Sequence, residues 1–292
     1  TSGAQALLTD PVRLCLRTNK GEATWATGVL RASRSTSEQV VLEANTQAVG
    51  LGLTGRATIE FDGMVRVDWQ IRPQAANELR ELVCEVPMPA ARAKYWYYYP
   101  DRSRSWEDHR PGALPLAGVA LPFNPTIWLG DEDRGLQWWT EHDANWLPGD
   151  PTQALTIRRE GDRVVLRLHL IGKPVRLDPA SKVTAPGGTA PVGQLSYSFG
   201  FQATPVKPRT RDAWDLRSTT LFTPTLEVAD RGPDGKSGLD QYARHGVRSI
   251  SLMDWTDVLC DNRASAPEKL RHFVKECHQR GIQVLVYFGF QV

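Results

Sequence analysis

Residues 242–292, YARHGVRSISLMDWTDVLCDNRASAPEKLRHFVKECHQRGIQVLVYFGFQV, decide the fold of the C-terminal part of this chain. Val247–Met253 (VRSISLM) is a short apolar strand, Ser265–Arg280 an amphipathic helix, and Ile282–Phe288 (IQVLVYF) a second buried strand. Ser265-Ala-Pro-Glu268 has the form of a capping box: the Ser hydroxyl takes a free backbone N–H and Glu268 reaches back. Pro267 falls in the first turn, where its missing N–H costs nothing. Leu270, Phe273, Val274 and Cys277 make one apolar stripe, and Gly281 is a left-handed stop. A strand, a crossover helix and a parallel strand form one repeat of a (β/α)8 barrel, and a whole barrel takes about 250 residues. This stretch supplies about a fifth of that. The expectation is therefore the first β/α/β unit of a truncated barrel, with most of the machinery beyond Val292. Leu252, Val284, Val286 and Phe288 would belong to the closed core. Two strands and one helix alone would leave a long unpaired edge, prone to aggregation beyond about Pro233.

Working outward, the chain from about Pro11 to Thr204 has a different rhythm. Val12–Arg17, Val65–Ile71 (VRVDWQI) and Val164–Leu170 (VVLRLHL) alternate with period two, as strands with one face on a core do. Asp62-Gly63, Glu160-Gly161-Asp162 and Ile171-Gly172-Lys173 are turn signals between such runs. No convincing helix precedes Gly238. The reading is mainly β: a large antiparallel β-sandwich over 1–204, a proline-marked linker over 205–237, and the incomplete barrel over 238–292. Ala185–Pro191 is a loose loop inside the sandwich.

The bulk numbers fit a globular protein with a sizeable core, since 41% of residues are hydrophobic and 23% charged. Lys plus Arg number 35 against 33 for Asp plus Glu, a balance that gives no pull toward nucleic acid or an anionic membrane. No run approaches the roughly 18 apolar residues of a membrane span. The chain opens on Thr1 with no charged-then-apolar leader, which leaves open whether a signal peptide has been removed or the reading frame starts earlier. Cys15, Cys84, Cys260 and Cys277 have no metal-type spacing. Cys277 reads as a small core hydrophobe, and a Cys15–Cys84 bridge stays open.

Barrel enzymes carry their sites at the C-terminal ends of the strands, here Met253–Asp257 and Tyr287–Phe290. Asp254 is a candidate for hydrogen bonds to two adjacent sugar hydroxyls, and Trp255 and Tyr287 for stacking on the apolar face of a sugar ring. The bland alternative is that Asp254 caps a loop and the aromatics close the barrel top. His245 and His278 read as structural, His278 beside a helix end where a cation suits the dipole. In Tyr95-Trp-Tyr-Tyr-Tyr99, alternation puts Tyr95, Tyr97 and Tyr99 on one face and Trp96 and Tyr98 on the other. One side would be core; the other would be an inter-domain contact or, with Trp106 and the Asp101–Arg110 loop, a sugar-stacking surface. Trp128–Trp146 (WLGDEDRGLQWWTEHDANW) is dense in Trp and acids. Its Asp131-Glu132-Asp133 lacks EF-hand spacing and reads as a solvated hairpin turn. Glu141, His142 and Asp143 are the better site candidates there, facing a neighbouring domain. No metal site, cofactor fingerprint or nucleophile elbow is found, and no basic stripe interleaves with aromatics.

Three segments together resemble bacterial proteins related to glycoside hydrolase family 123. They are Trp128–Glu141 with Asp143 and Trp146 behind it; Gly200-Phe-Gln-Ala-Thr-Pro-Val-Lys-Pro208; and the His245–Trp255 strand with Cys277-His-Gln-Arg-Gly-Ile282 and Tyr287-Phe-Gly289. The resemblance implies a β-sandwich first domain, a catalytic (β/α)8 barrel, often a further β-domain, and hydrolysis of glycosidic bonds in a carbohydrate substrate. It favours an extracellular or periplasmic setting. In the family, an adjacent Asp–Glu pair in the barrel serves a mechanism in which the substrate's own acetamido group is the nucleophile, an exception to the usual two-carboxylate scheme. No such pair occurs in the visible barrel stretch, and Asp131-Glu132 lies in the sandwich hairpin, so no catalytic residue is carried over. The leading reading is the N-terminal part of a glycoside hydrolase whose acid/base lies downstream. The alternatives are a non-catalytic carbohydrate-binding sandwich and a structural module supporting other chemistry.

Overall fold

The computed structural model describes residues 6–98, 112–186, 190–206, 217–221, 226–252 and 266–286. The chain divides into two compact units, Thr1–Pro208 and Arg209–Val292. Chains of alternating apolar and polar residues give the first unit its architecture. In β7 (Asn77–Pro89) Leu82, Cys84, Val86 and Met88 are fully buried, while Glu81 before them and Glu85 among them take the opposite face. In β14 (Arg163–Ile171) Val164, Leu166, Leu168 and Leu170 do the same. Each such side chain taken from water is worth about 1.5–3 kcal/mol, so strands of this pattern stack face to face.

Two antiparallel sheets result. The seven-stranded sheet runs β10 (Val119–Leu121), β13 (Leu155–Glu160), β14, β7, β1 (Arg13–Thr18), β2 (Gly21–Ala23), with β15 (Val175–Leu177) also on β7. The nine-stranded sheet runs β3 (Val29–Ser35), β4 (Gln39–Ala48), β5 (Leu51–Glu60), β6 (Met64–Pro73), β16 (Leu195–Thr204), β12 (Gly135–Thr140), β11 (Thr126–Gly130), β8 (Tyr95–Tyr98), β9 (Gly112–Ala113). Ile71, Leu195, Tyr197, Phe199, Trp138, Ile127 and Leu129 from the larger sheet share one core with the buried residues of β7, β13 and β14. The mainly β, antiparallel fold read from the alternation is the fold observed. Gly63 and Gly161, at two of the expected turns, take positive φ of 87° and 65°.

The register settles the cysteine question. Leu14 pairs with Cys84 and Cys15 with Val83, so the two sulfurs project from opposite faces of the sheet, and both are free thiols.

The second unit is a three-stranded parallel sheet: β17 (Arg217–Leu221), β18 (Val247–Leu252) and β19 (Gln283–Val286), in that order. Helix α1 (Gly238–Arg244) precedes β18, and α2 (Ala266–Gln279) joins β18 to β19. The stripe expected on α2 is present: Phe273 and Cys277 are fully buried with Leu239, Ile250 and Ile282, and Leu270 packs at the margin. Gly281 ends α2 at φ 69°, its N–H donating to the His278 carbonyl. Ser265 and Phe288 lie outside the described residues. Two differences from the sequence reading stand out. Residues 205–237, read as a linker, contain β17 and a 3-10 turn at Leu226–Ala229 whose Leu226 and Ala229 are buried. And β17 covers the flank of β18 that was expected to be bare. The described strands form an open parallel sheet, and a closed barrel is not among them.

Two charged residues hold the helices of this unit together. Asp240 accepts from the Ser237 N–H at 2.8 Å, closing the first turn of α1, and from Arg280 Nε at 2.7 Å. Arg280 also donates to Glu276 at 2.9 Å.

Candidate functional site

The hairpin β11–β12 builds the most unusual surface of the first unit. Trp138 and Trp139 are consecutive, so they enter opposite faces of the sheet. Trp138 is 1% exposed in the inter-sheet core, its ring 6.2 Å from that of Trp146. Trp139 is half-buried on the outer face, as is Trp128, which pairs with Gln137. Inside, Trp96 and Tyr98 of β8 stack at 5.2 Å with their planes 11° apart. Outside, Tyr97 lies opposite Trp128 and Tyr95 opposite Gly130. Of the two-sided aromatic strand read at 95–99, residues 95–98 are core on one side and part of this outer face on the other; Tyr99, Trp106 and the Asp101–Arg110 loop lie outside the described residues.

Glycines let both outer indoles approach the sheet backbone closely. A Cβ at Gly200 would come within 2.4 Å of two Trp139 ring atoms. Cβ atoms at Gly130 and Gly135 would come within 2.3 and 2.5 Å of the Trp128 ring. Both rings therefore sit directly over bare backbone. The Trp128 Nε1–H donates to Thr204 Oγ1 at 2.9 Å, which fixes that ring across β11, β12 and β16.

Polar side chains fill the rows between and beside the rings. Gln137 and Gln202 are cross-strand partners in the row that separates them. The Gln137 amide donates to Thr126 at 3.0 Å and the Gln202 amide to the Asp62 carbonyl at 3.3 Å, so both carboxamide oxygens point away from these bonds. Arg66 lies across Gly200 from Trp139. It donates to Glu141 at 2.6 Å and to Asp68 at 3.2 Å, and Ser198 donates to Asp68 at 2.6 Å. Partial burial works to raise the Asp68 pKa, but the bonds from Arg66 and Ser198 outweigh it and hold the carboxyl below its usual range. Asp68 is therefore unsuited to be the general acid of a glycosidase, which needs a raised pKa.

Of the sequence-derived candidates, Asp254, Trp255 and Tyr287 all lie outside the described residues. What the structure does place are the strand ends that precede them: β18 and β19 run parallel, with Leu252 paired to Val286, so both chains leave the sheet on the same edge. Glu141 is tied to Arg66, and His142 and Asp143 are exposed. Asp131 is not solvated as expected. Its side chain is 4% exposed, bonded to Arg92 at 2.7 Å and to the N–H groups of Asp133 and Arg134 at 2.9 Å each. These bonds hold its pKa low against the opposing effect of burial. His245 caps α1, and its carbonyl accepts from Arg217 at 2.8 Å.

A polar hollow of about 440 Å³ lies on the outer face of the seven-stranded sheet, lined by Arg17, Glu81, Arg158, Arg167 and His169 among others. Two of its arginines are paired, Arg17 with Glu81 and Arg167 with Glu85, both at 2.7 Å, and Arg158 donates to the Ala117 carbonyl at 2.6 Å. Burial and the nearby Arg167 push His169 down toward the neutral form. Among the described residues no group of His, Cys, Asp or Glu gathers as a metal ion needs, and no helix is long and apolar enough to cross a membrane.

The outer aromatic face was only partly legible. The Trp–x–Gly spacing of 128–130 is a sequence signal, but Gly200 reaches Trp139 only through the β12–β16 pairing.

Comparison with known proteins adds a family. Solved structures similar to the chain include a beta-arabinopyranosidase (11% identity, 97% of this chain, 50% of that one, TM-score 0.39). Others are a ligand-free alpha-N-acetylgalactosaminidase NagBb from Bifidobacterium bifidum (10%, 95% and 53%, TM-score 0.40) and a glycoside hydrolase family 97 enzyme variant from Pseudoalteromonas sp. strain K8 (9%, 96% and 49%, TM-score 0.42). The chain spans about half the length of each. No curated protein sequence matches it. Residues 1–145 match the family model described as glycoside hydrolase 123, third domain. Over those residues the chain is similar to that domain of glycoside hydrolase family 123.

Proposed function

We propose that this chain is part of a glycoside hydrolase that cleaves glycans by general acid/base chemistry, with the acid and base outside residues 1–292. The family match of residues 1–145 supports the reaction class. The observation that carries the placement of the site is the parallel pairing of β17, β18 and β19. Parallel strands joined by helices bring their C-terminal ends to one edge, and barrel enzymes bind substrate at that edge. Asp254 and Trp255 follow β18 and Tyr287 follows β19 in the sequence. In this reading Asp254 accepts hydrogen bonds from adjacent hydroxyls, and Trp255 and Tyr287 offer apolar ring faces.

Aryl glycosides and oligosaccharides assayed with the full-length protein test the reading. Asp254→Ala should lower kcat/KM by about tenfold or more, the loss expected when a charged hydrogen-bonding group is removed. Residues 1–292 alone should show no turnover. Hydrolysis by that chain at a normal rate would overturn the placement of the acid/base, and an Asp254→Ala protein with unchanged kinetics would remove Asp254 from the site.

A further inference from the structure

We propose that the outer face of the nine-stranded sheet is a second carbohydrate site, built by the first unit alone. It would bind a neutral oligosaccharide along β12 and β16, with Trp128 and Trp139 as stacking surfaces and Gln137 and Gln202 as hydrogen-bond acceptors between them.

An indole on a sheet face normally stands up, because the Cβ atoms of its cross-strand neighbours hold it off the backbone. Here the neighbours under Trp128 are Gly130 and Gly135, and the one under Trp139 is Gly200. All three lack the atom that would lift the ring. Each indole therefore lies close over the backbone, and the side of the ring turned from the sheet is the surface offered to a pyranose. Glycine in a strand interior weakens it, and close approach of another group is a recognised reason to find it there. Gly200 is interior to β16, whereas Gly130 and Gly135 close their strands at the hairpin; together the three put a floor under two rings.

Spacing and polarity define the ligand. Trp128 lies over the row of Gly135 and Thr204, and Trp139 over the row of Gly200. Thr204 and Gly200 are four residues apart on β16, so the two rings are separated by about 13 Å of strand at 3.2–3.4 Å per residue. That exceeds one sugar ring, so a monosaccharide cannot stack on both and an oligosaccharide can. Between the rings the NH2 groups of Gln137 and Gln202 donate to the protein, which leaves their carboxamide oxygens as the acceptors for ligand hydroxyls. Arg66 is the cation of the row beside Trp139, and it is matched by Asp68 and Glu141. The surface has aromatic faces and acceptors with no surplus charge, which suits a neutral polyhydroxy chain better than an anionic one. The choice of a glycan rests in part on the hydrolase reading; the shape and chemistry of the face do not.

The test is titration of residues 1–292 with neutral oligosaccharides of one to six units, α- and β-linked, followed by calorimetry and tryptophan fluorescence. The expected result is binding that strengthens about tenfold or more from one unit to three or four, as the second ring engages. Trp128→Ala and Trp139→Ala should each weaken it by about tenfold, the usual effect of removing an aromatic anchor. Trp139→Tyr, which restores a ring, should recover most of the loss, and unchanged thermal melting separates lost binding from lost fold. Three results would overturn the proposal. One is no binding by any oligosaccharide of the panel. Another is binding that survives both alanine variants. The last is tryptophan shielded from acrylamide in the free chain and unmoved by saccharide, which would make this face a protein contact. Glycoside turnover by the full-length protein is measured separately. Turnover retained without binding at this face sinks this proposal alone, and binding without turnover sinks the hydrolase reading alone.

Discussion

Gly200→Ala tests the close approach of the Trp139 indole directly. The new Cβ would stand 2.4 Å from two ring atoms of Trp139 and 2.6 Å from the Val65 carbonyl oxygen. Ordinary carbon contacts are about 3.5–4.0 Å, so the methyl is more than about 1 Å too close to the ring. Either the indole lifts off β16 or the strand moves, and forced insertion of this kind costs about 1–3 kcal/mol. Against that, replacing an extended glycine with alanine restricts the unfolded chain and returns about 0.4–1 kcal/mol. The clash wins, and the net destabilisation is about 1–2 kcal/mol, or about 2–8 °C in the melting of a unit of this size. The backbone contact with Val65 contributes to that cost, so a double-mutant cycle with Trp139→Ala is needed. In the absence of the ring, Gly200→Ala should become cheaper by about 1 kcal/mol. Urea melts of the four proteins give the coupling. A cost equal within about 0.5 kcal/mol in both backgrounds would show that the indole does not lie over Gly200.

Other outcomes follow from the packing and the charges. Leu82→Ala, at a fully buried position of β7, should cost about 2–5 kcal/mol, read from the urea midpoint of the sandwich unit. Cys84 is buried and its thiol is pushed up by burial, whereas Cys15 is exposed; mass spectrometry after a thiol reagent should find Cys15 modified in the native protein and Cys84 only after unfolding. Asp131→Ala removes the acceptor for Arg92 and for two turn N–H groups; a loss of about 2–3 kcal/mol in urea unfolding is expected, and a neutral result would remove its role in the turn. Asp240 is held at about 2 by the bonds from Arg280 and the Ser237 N–H, below its unfolded value near 4. Its contribution is thus complete above about pH 4 and is lost as pH falls through about 2, and Asp240→Asn should flatten that acid limb in the melting of the C-terminal unit.

The parts of the fold that were legible are those whose cause is local. Period-two alternation placed β6 and β14, because each strand faces a core on one side. Helix α2 was legible because its stripe and its glycine stop fall within one short segment. Strand β17 was missed for the converse reason. Arg217-Ser-Thr-Thr-Leu221 has no apolar alternation; it is a strand because β18 offers a parallel edge, with Ser218 hydrogen-bonded to Ser249 across it. Asp131 was misjudged because three acids in a row look solvated, yet the partner that buries this one, Arg92, comes from a segment 39 residues away. The outer aromatic face failed to show in the same way. Trp128 and Trp139 are visible as letters, but whether an indole stands or lies depends on which residue the register sets beneath it.

That dependence makes the register of β11, β12 and β16 the feature on which both core and surface rest. Trp138 and Trp139 are neighbours with opposite duties: one fills the space between the sheets, the other covers Gly200 on the outside. A slip of one residue would exchange every side chain between the faces. It would put the smaller outer set, including Gln137, into the core and leave Trp138 on the surface, at a cost far above the stability of any surface contact. The hairpin guards against this at its turn, where Asp131 accepts from two backbone N–H groups and Gly130 faces Gly135 beneath Trp128. It guards against it again on β16, where Phe201 pairs with Trp138 and Gly200 with Trp139. The buried aromatic therefore fixes the register, and the register delivers a glycine under the exposed one. Core packing and the outer platform are two consequences of a single strand alignment, so substitutions that loosen Trp138 act on the outer face without touching it.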